Sequence, residues 1–295
     1  SNNPAFGFND MTIAKYNPSG TIQWQKRLGS GDNDGGRDVA IDSAGNVYVV
    51  GFCEPNGTGG NDFLIAKYDT SGNLQWQRAL EGSGSDSARA VAFDSSNNIY
   101  VTGGSNDGDN DLILVKYNSS GTVQWQRKLG DAGSEAGLAV AVDSADNVYV
   151  GGFTTSEGAG GFDFLLAKYN SSGTIQWQRI LGGSNSDELQ GVAIDSSDNI
   201  YVAGKAASTP YSFQLAKYNS SGTIQFQRSL SKTPDSAFDC RGIALDSSDN
   251  VYMAGWTNGL GEGNDDWLIA VVPNDGSLTG TYTLDGVDLN YEASS

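Results

Sequence analysis

The sequence predicts a turn-rich, all-β protein made of repeated hairpins, and three observations predict it. First, Lys168-Tyr169-Asn170-Ser171-Ser172-Gly173-Thr174-Ile175-Gln176-Trp177-Gln178-Arg179 is written five times with small changes and once in decayed form. Its lysine recurs at Lys15, Lys67, Lys116, Lys168 and Lys217, with Val271 in the sixth place, at steps of 52, 49, 52, 49 and 54 residues. A self-similar period near fifty marks a repeat architecture. Second, Val39-Ala40-Ile41-Asp42 leads into Asn46-Val47-Tyr48-Val49-Val50-Gly51, and this pattern returns at Asp94, Asp143, Asp195 and Asp246, between copies of the first. Third, 40 glycines against 6 prolines punctuate runs that alternate apolar and polar residues, the period of strands.

Each pattern reads as a hairpin. In the first, Phe63 to Tyr68 is one strand and Leu74 to Arg78 the next. The first copy joins them through Asn17-Pro18-Ser19-Gly20, which suits a type I turn with Gly free to take positive φ. In the second hairpin the turn starts on Asp, and its fourth position holds Gly45, Asn97, Asp146, Asp198 or Asp249. These residues tolerate the left-handed conformation best, so the mixture reads as backbone chemistry and not a ligand signature. On that ground alone Asp198→Gly is expected to be neutral or slightly stabilising.

Let A and B be the strands of the Asp-turn hairpin, and C and D those of the Lys-Tyr/Trp hairpin. The chain opens on C and D at Asp10 to Leu28 and continues through five A-B-C-D units to about Leu284. That makes 22 strands, two short of six four-stranded sheets. Phe6-Gly7-Phe8 matches the tail of strand B, and Gly286-Val287-Asp288-Leu289 the start of strand A. The expected architecture is therefore one domain over residues 1–295: a six-bladed β-propeller of four-stranded antiparallel blades. Its ring would be closed by the C-terminal strand joining the N-terminal blade, which leaves no free sheet edge.

Gly191-Val192-Ala193-Ile194-Asp195-Ser196-Ser197-Asp198-Asn199-Ile200-Tyr201-Val202-Ala203-Gly204 resembles the blade core of NHL-type propellers. With the Asp-Phe-Leu-(Ile/Leu)-Ala-Lys-Tyr strand it resembles more closely the bacterial β-propeller repeats called SBBP. The resemblance covers residues 5 to 291 and implies a blade with strand A innermost. It implies no single activity, because propellers host binding modules and enzymes alike. The sixth unit departs from it, with Val271, Val272, Gly280 and Tyr282 in place of Lys, Tyr, Trp and Arg.

Net charge is −18 with no histidine, which argues against nucleic acid as a partner, since that needs a basic footprint. Of 17 basic residues only Arg37, Arg89, Lys205, Lys232 and Arg241 lie outside the C and D strands, so the loops are almost purely acidic. No apolar run is long enough to span a bilayer, and no membrane insertion is expected. Without an initiator methionine the sequence reads as a mature form or part of something longer. Cys53 and Cys240 fall at different phases of the repeat, and no disulfide between them is expected.

Three sets of residues are candidates for a site. Eight residues before each strand-A Asp stand Asp34, Asp86, Glu135 and Asp187, with Phe238 in the fifth unit. Around an axis they would form a ring of carboxylates able to take calcium. Four copies at one loop position favour the plainer reading, in which each accepts backbone N–H groups. No other cofactor is expected. Asp10, Asp62, Asp111, Asp163 and Asp266 stand five residues before the strand-C lysine position, which reads as strand-entry structure. Asn106 to Asp111 alternates acids but lacks the glycine and glutamate of a calcium loop. The better ligand-binding candidates break the repeat: Phe52, Phe153, Lys205, Tyr211 and Trp256, with Arg37 beside them.

Without histidine there is neither a catalytic triad nor a His-containing zinc site. The expected function is that of a non-enzymatic structural or binding module, extracellular, on a cell surface or on a virion. Its partner would be a protein or a glycan on the loop face. The alternative is a carbohydrate-active enzyme using carboxylates on that acidic face.

Overall fold

The computed structural model describes residues 9–29, 33–54, 60–80, 82, 84–207, 211–231, 238–258, 266–277, 280–284 and 287–293, the last two segments in backbone only. Among these residues there is no helix, and 23 strands form six sheets in which every strand pairing is antiparallel. The chain divides into two compact units, Ser1–Gly137 and Leu138–Ser295. The first holds the two-stranded sheet β1 (Met11–Tyr16) and β2 (Ile22–Leu28). It also holds β3 (Gly35–Ile41), β4 (Val47–Cys53), β5 (Asp62–Tyr68) and β6 (Leu74–Leu80) as one four-stranded sheet. A second is formed by β7 (Ser87–Phe93), β8 (Ile99–Asp107), β9 (Asp109–Tyr117) and β10 (Val123–Leu129). The second unit is entered along β11 (Glu135–Val142), which pairs on through β12 (Val148–Thr154), β13 (Asp163–Tyr169) and β14 (Ile175–Leu181). It continues with β15 (Asp187–Ile194), β16 (Ile200–Ala206), β17 (Ser212–Tyr218) and β18 (Ile224–Ser231), then β19 (Phe238–Leu245), β20 (Val251–Thr257) and β21 (Asp266–Val272). A terminal hairpin, β22 (Gly280–Leu284) and β23 (Val287–Ala293), ends the chain.

The core lies between consecutive sheets. Tyr48, Val50, Phe63 and Ile65 of one sheet pack on Ala88, Val91, Ile99, Val101 and Ile113 of the next. The second unit repeats this with Tyr149, Phe164 and Leu166 against Leu189, Ile200 and Val202. Strands B and C are buried along nearly their whole length because they sit between two neighbours. Each large side chain so buried contributes about 1.5–3 kcal/mol.

The repeated hairpin explains itself at these joints. Lys168 Nζ donates to the Ser220 carbonyl in the C–D turn of the next sheet at 3.0 Å, and Trp177 Nε1 donates to the same oxygen at 3.3 Å. Arg179 Nε reaches the Gly222 carbonyl in that turn at 2.7 Å. Gly222 has φ +76°, and a Cβ there would stand 2.9 Å from the Trp177 ring. Gly72 and Gly121 sit likewise on Trp24 and Trp76. Lysine, tryptophan and arginine thus clamp the following turn, and the turn glycine is required by packing as well as by its backbone.

The A–B turns lock as well. Asn97, Asp146, Asp198 and Asp249 are left-handed, with φ between 58 and 62°. Three of them also carry a joint: Asn97 accepts from Ser43, Asp198 from Ser144 and Asp249 from Ser196, each from backbone N–H and hydroxyl. The expectation that Asp198→Gly is harmless is therefore corrected. Glycine would keep the backbone and lose both bonds to Ser144.

The chain end is a second correction. β23 does not join the β1–β2 sheet. It pairs with β18, Arg228 opposite Ala293 and Ser231 opposite Asn290, so that β22 becomes the far edge of a six-stranded sheet. The sixth sheet keeps three strands, β19 to β21. Its turn still receives the clamp, since Lys217 and Arg228 donate to the Asn274 and Gly276 carbonyls. Its own donors are gone. Gly280 replaces the tryptophan that anchors strand D elsewhere, and β22 instead folds onto β23, whose other edge takes the free rim of β18.

At the other end β1 has β2 as its only strand neighbour among the described residues. A groove of about 660 Å³ opens between β1 and β3, lined by Met11, Ile13, Val39, Ile41 and Val47 among others. In the next joint Tyr48 fills the matching place, its ring 4.8 Å from Phe93. Phe6-Gly7-Phe8, expected to supply that strand, lies outside the described residues.

Candidate functional site

Strand A carries a bulge at one fixed place. The register with strand B shifts between Gly36 and Asp38, Ala88 and Ala90, Leu189 and Gly191, and Cys240 and Gly242. The skipped residues are Arg37, Arg89, Gln190 and Arg241. A bulge re-aims the side chain it carries. Three of the five basic residues outside the C and D strands sit on these bulges, and all three are exposed.

A fourth, Lys205, belongs to the same rim. It occupies the sixth position of strand B, where the successive units place Phe52, Gly104, Phe153, Lys205 and Trp256. Four of the five ligand-binding candidates thus share one phase of the repeat. Opposite them, strand A offers Gly35, Ser87, Glu188 and Asp239. In the first unit the Arg37 guanidinium lies 5.2 Å from the centre of the Phe52 ring, and that ring covers Gly35. In the second, Lys205 Nζ pairs with Glu188 at 3.0 Å, and Arg241 with Asp239 at 2.6 Å. Trp256 is half-buried between Asp239 and Trp267 in the strand register. Phe153 is half-buried against Phe162, ring centres 4.5 Å apart, and Tyr211 stands exposed just before β17.

Of the four acids that could have formed a carboxylate ring, three accept backbone N–H groups. Asp86 accepts the Asn106 N–H at 3.0 Å, and Glu135 the Asp131 N–H at 3.3 Å. Asp187 accepts from Gly183 at 2.8 Å and Ala207 at 3.1 Å. Asp34 is buried beside Asp10. Among the described residues no three acidic, cysteine or histidine side chains are grouped as a metal site. Asn106 to Asp111 is a tight hairpin turning on Gly108, with Asn106 opposite Asn110.

The model of the SBBP β-propeller repeat matches residues 23–51, 75–109, 176–212 and 235–262. The first three matches run from a D strand into an A–B hairpin, and the fourth covers the A–B hairpin of β19 and β20. The chain is a β-propeller repeat protein. Regulatory protein FlaEY of Caulobacter vibrioides is 30% identical over 115 residues, 35% of this chain and 12% of its own length. The propeller spans about an eighth of the length of the curated relatives it matches. A Bacteroides caccae protein of unknown function superposes with TM-score 0.56 at 14% identity, over 92% of this chain and 89% of that one. The periplasmic gluconolactonase PpgL of Pseudomonas aeruginosa does so with TM-score 0.57 at 8% identity, over 94% and 82%. At these identities the likeness is one of fold.

The propeller's rim differs in charge from its surroundings. Partial burial first, and the charge on Arg37 second, hold the Arg89 guanidinium below its ordinary pKa. Two positive groups on neighbouring sheets therefore press on one another, and no carboxylate pairs with either among the described residues. In the second unit, burial pushes the Asp239 carboxyl above the usual range, against the pull of Arg241 and Lys205. Its Oδ1 has no hydrogen-bond partner among the described residues. Glu188, Arg89, Asp239 and Arg241 were not candidates from the sequence. The signal that finds them is variation at one fixed phase of an otherwise uniform repeat.

Proposed function

We propose that the protein is a non-enzymatic β-propeller module that binds an anionic protein or glycan along the strand-A and strand-B rim. One observation carries this reading: at the strand-A bulge, where the fold demands no charge, Arg37 and Arg89 have no carboxylate partner among the described residues, and they stand beside the strand-B position that varies from unit to unit. A guanidinium pair beside an aromatic ring suits a carboxylate or sulfate held on a sugar or a side chain. The acidic remainder of the surface repels anions that do not reach the rim, which favours selectivity over bulk attraction. The reading includes six blades and a place outside the cytoplasm, on a cell surface or a virion; the six hairpin copies and the fold-level likeness to a periplasmic protein support it. The test is an array of sulfated, carboxylated and neutral glycans, with Arg37→Ala/Arg89→Ala beside the parent chain. Binding to acidic members, weakened at least tenfold in the variant at unchanged melting temperature, is expected; binding indifferent to both arginines would sink the proposal.

A second reading, a carbohydrate-active enzyme, is favoured by Asp239. A buried carboxyl of raised pKa beside Glu188 is the kind of pair that acid–base chemistry uses. Turnover of a glycoside by the parent chain, lost in Asp239→Asn, would establish it.

A further inference from the structure

The joint between β13 and β15 holds two acids that the rest of the fold leaves short of positive charge. Asp163 is 1% exposed and Asp187 6%. A Cβ on Gly182 would collide with Asp163 Oδ1 and stand 3.0 Å from Asp187 Oδ2, so both oxygens face one point. Asp163 Oδ2 accepts the Ala159 N–H at 3.1 Å, but Oδ1 has no hydrogen-bond partner among the described residues.

The repeat supplies internal controls. Asp111, at the same place as Asp163, pairs with Lys128 at 2.5 Å, and Asp10 pairs with Arg27. Ile180 occupies the Lys128 position beside Asp163. In the following unit Ser212 and Phe238 replace both acids together. The fold therefore tolerates the acid with a cation or no acid at all, and the Asp163 joint keeps two acids without the cation.

We propose that Asp163 and Asp187 hold a divalent cation of the calcium type between the two sheets. Two carboxylates supply the charge, and main-chain carbonyls and water complete the irregular oxygen shell that calcium accepts. The ion would do for this joint what the Lys128 ammonium does for its own. Burial holds both carboxyls above their usual range, and Asp187 raises Asp163 further, as expected of two acids facing one another without a counter-ion.

The test is calcium titration of the full chain by calorimetry, with melting followed in chelator and in calcium. The parent chain should bind calcium saturably and melt higher with it. Ile180→Lys, which rebuilds the Lys128 arrangement, should lose one equivalent and melt in chelator at or above the parent. Asp163→Asn, nearly isosteric, should lose the same equivalent. The readout is the loss of one equivalent relative to the parent chain, which isolates the Asp163 joint from any other. No saturable binding of calcium or magnesium up to about 10 mM, beyond the range of extracellular calcium modules, overturns the proposal. So does full stoichiometry in both variants. A melting temperature that ignores ions but rises on acidification assigns the pair a shared proton, and equally overturns it.

Discussion

Lys168 belongs to one sheet and is held by the next: its ammonium donates to the Ser220 carbonyl at 3.0 Å while lying 3.7 Å from Asp143 in its own A–B turn. Its Nζ also stands 5.0 Å from the centre of the Tyr149 ring, whose hydroxyl donates to the same Asp143. One charged group thus ties a turn, a core aromatic and a neighbouring sheet. This is why the sequence around it is copied so closely.

Lys168→Met should destabilise the chain by about 2 kcal/mol, because a largely buried carboxylate loses its cation and a carbonyl loses its donor. Val271→Lys, which restores the lysine where its own clamp partners are missing, should stay within about 0.5 kcal/mol of the parent. Urea unfolding of both variants checks the contrast. Equal effects would mean that the lysine acts within its own sheet and not across the joint.

The turn glycines allow backbone and packing to be separated. Gly20 has φ +77° with nothing within 4 Å of a built Cβ, and Gly222 has φ +76° against the Trp177 ring. Gly20→Ala should cost about 1 kcal/mol, the left-handed penalty alone. Gly222→Ala should cost about 1–3 kcal/mol more, from overpacking. Similar midpoints for the two would show that the tryptophan yields freely.

Asp198→Gly should destabilise by about 1–2 kcal/mol, since the Ser144 amide and hydroxyl lose an ionised acceptor. Asp198→Asn keeps an acceptor, as Asn97 does in its own joint, and should fall between. A double-mutant cycle with Ser144→Ala measures the coupling. A neutral Asp198→Gly would return that position to backbone chemistry alone.

Much of this fold is legible in the sequence, because alternation and period are side-chain signals. Trp177 and Lys168 announce themselves as joint residues by recurring at one phase. What they grip does not, since the partners are carbonyls of Ser220 and Gly222, and backbone oxygen has no sequence signature. The end strands mislead for a similar reason. Gly286 to Leu289 resembles strand A, yet four alternating residues fit any open edge, and the β18 edge takes the strand they begin. Phe52, Phe153, Lys205 and Trp256 stand out by breaking the repeat. Their partners Glu188 and Asp239 are hidden among 35 acids until strand pairing sets them opposite Lys205 and Trp256.

Acid should act on the propeller in two opposite steps. In Asp94 burial pushes the carboxyl up, but donation from the Asn98 amide and backbone, with Lys116 nearby, outweighs it and holds the pKa low. Asp42 and Asp195 are lowered by the same balance. For these, the folded value lies below the unfolded value of about 3.9. Their stabilisation is thus fully present above about pH 4 and is lost as pH falls through the folded value. Burial holds Asp38, Asp163, Asp187 and Asp239 high. The folded state binds those protons more tightly, so acidification from neutrality toward about pH 4 should stabilise it. In chelator at fixed ionic strength, the urea midpoint should therefore rise modestly from pH 7 to about pH 4.5 and collapse below. Asp94→Asn, which keeps a hydrogen-bonding side chain without the titration, should start less stable and show a shallower acid limb. A midpoint that falls steadily from pH 7 would mean that the lowered carboxyls outweigh the raised ones throughout, and that the buried acids are already compensated.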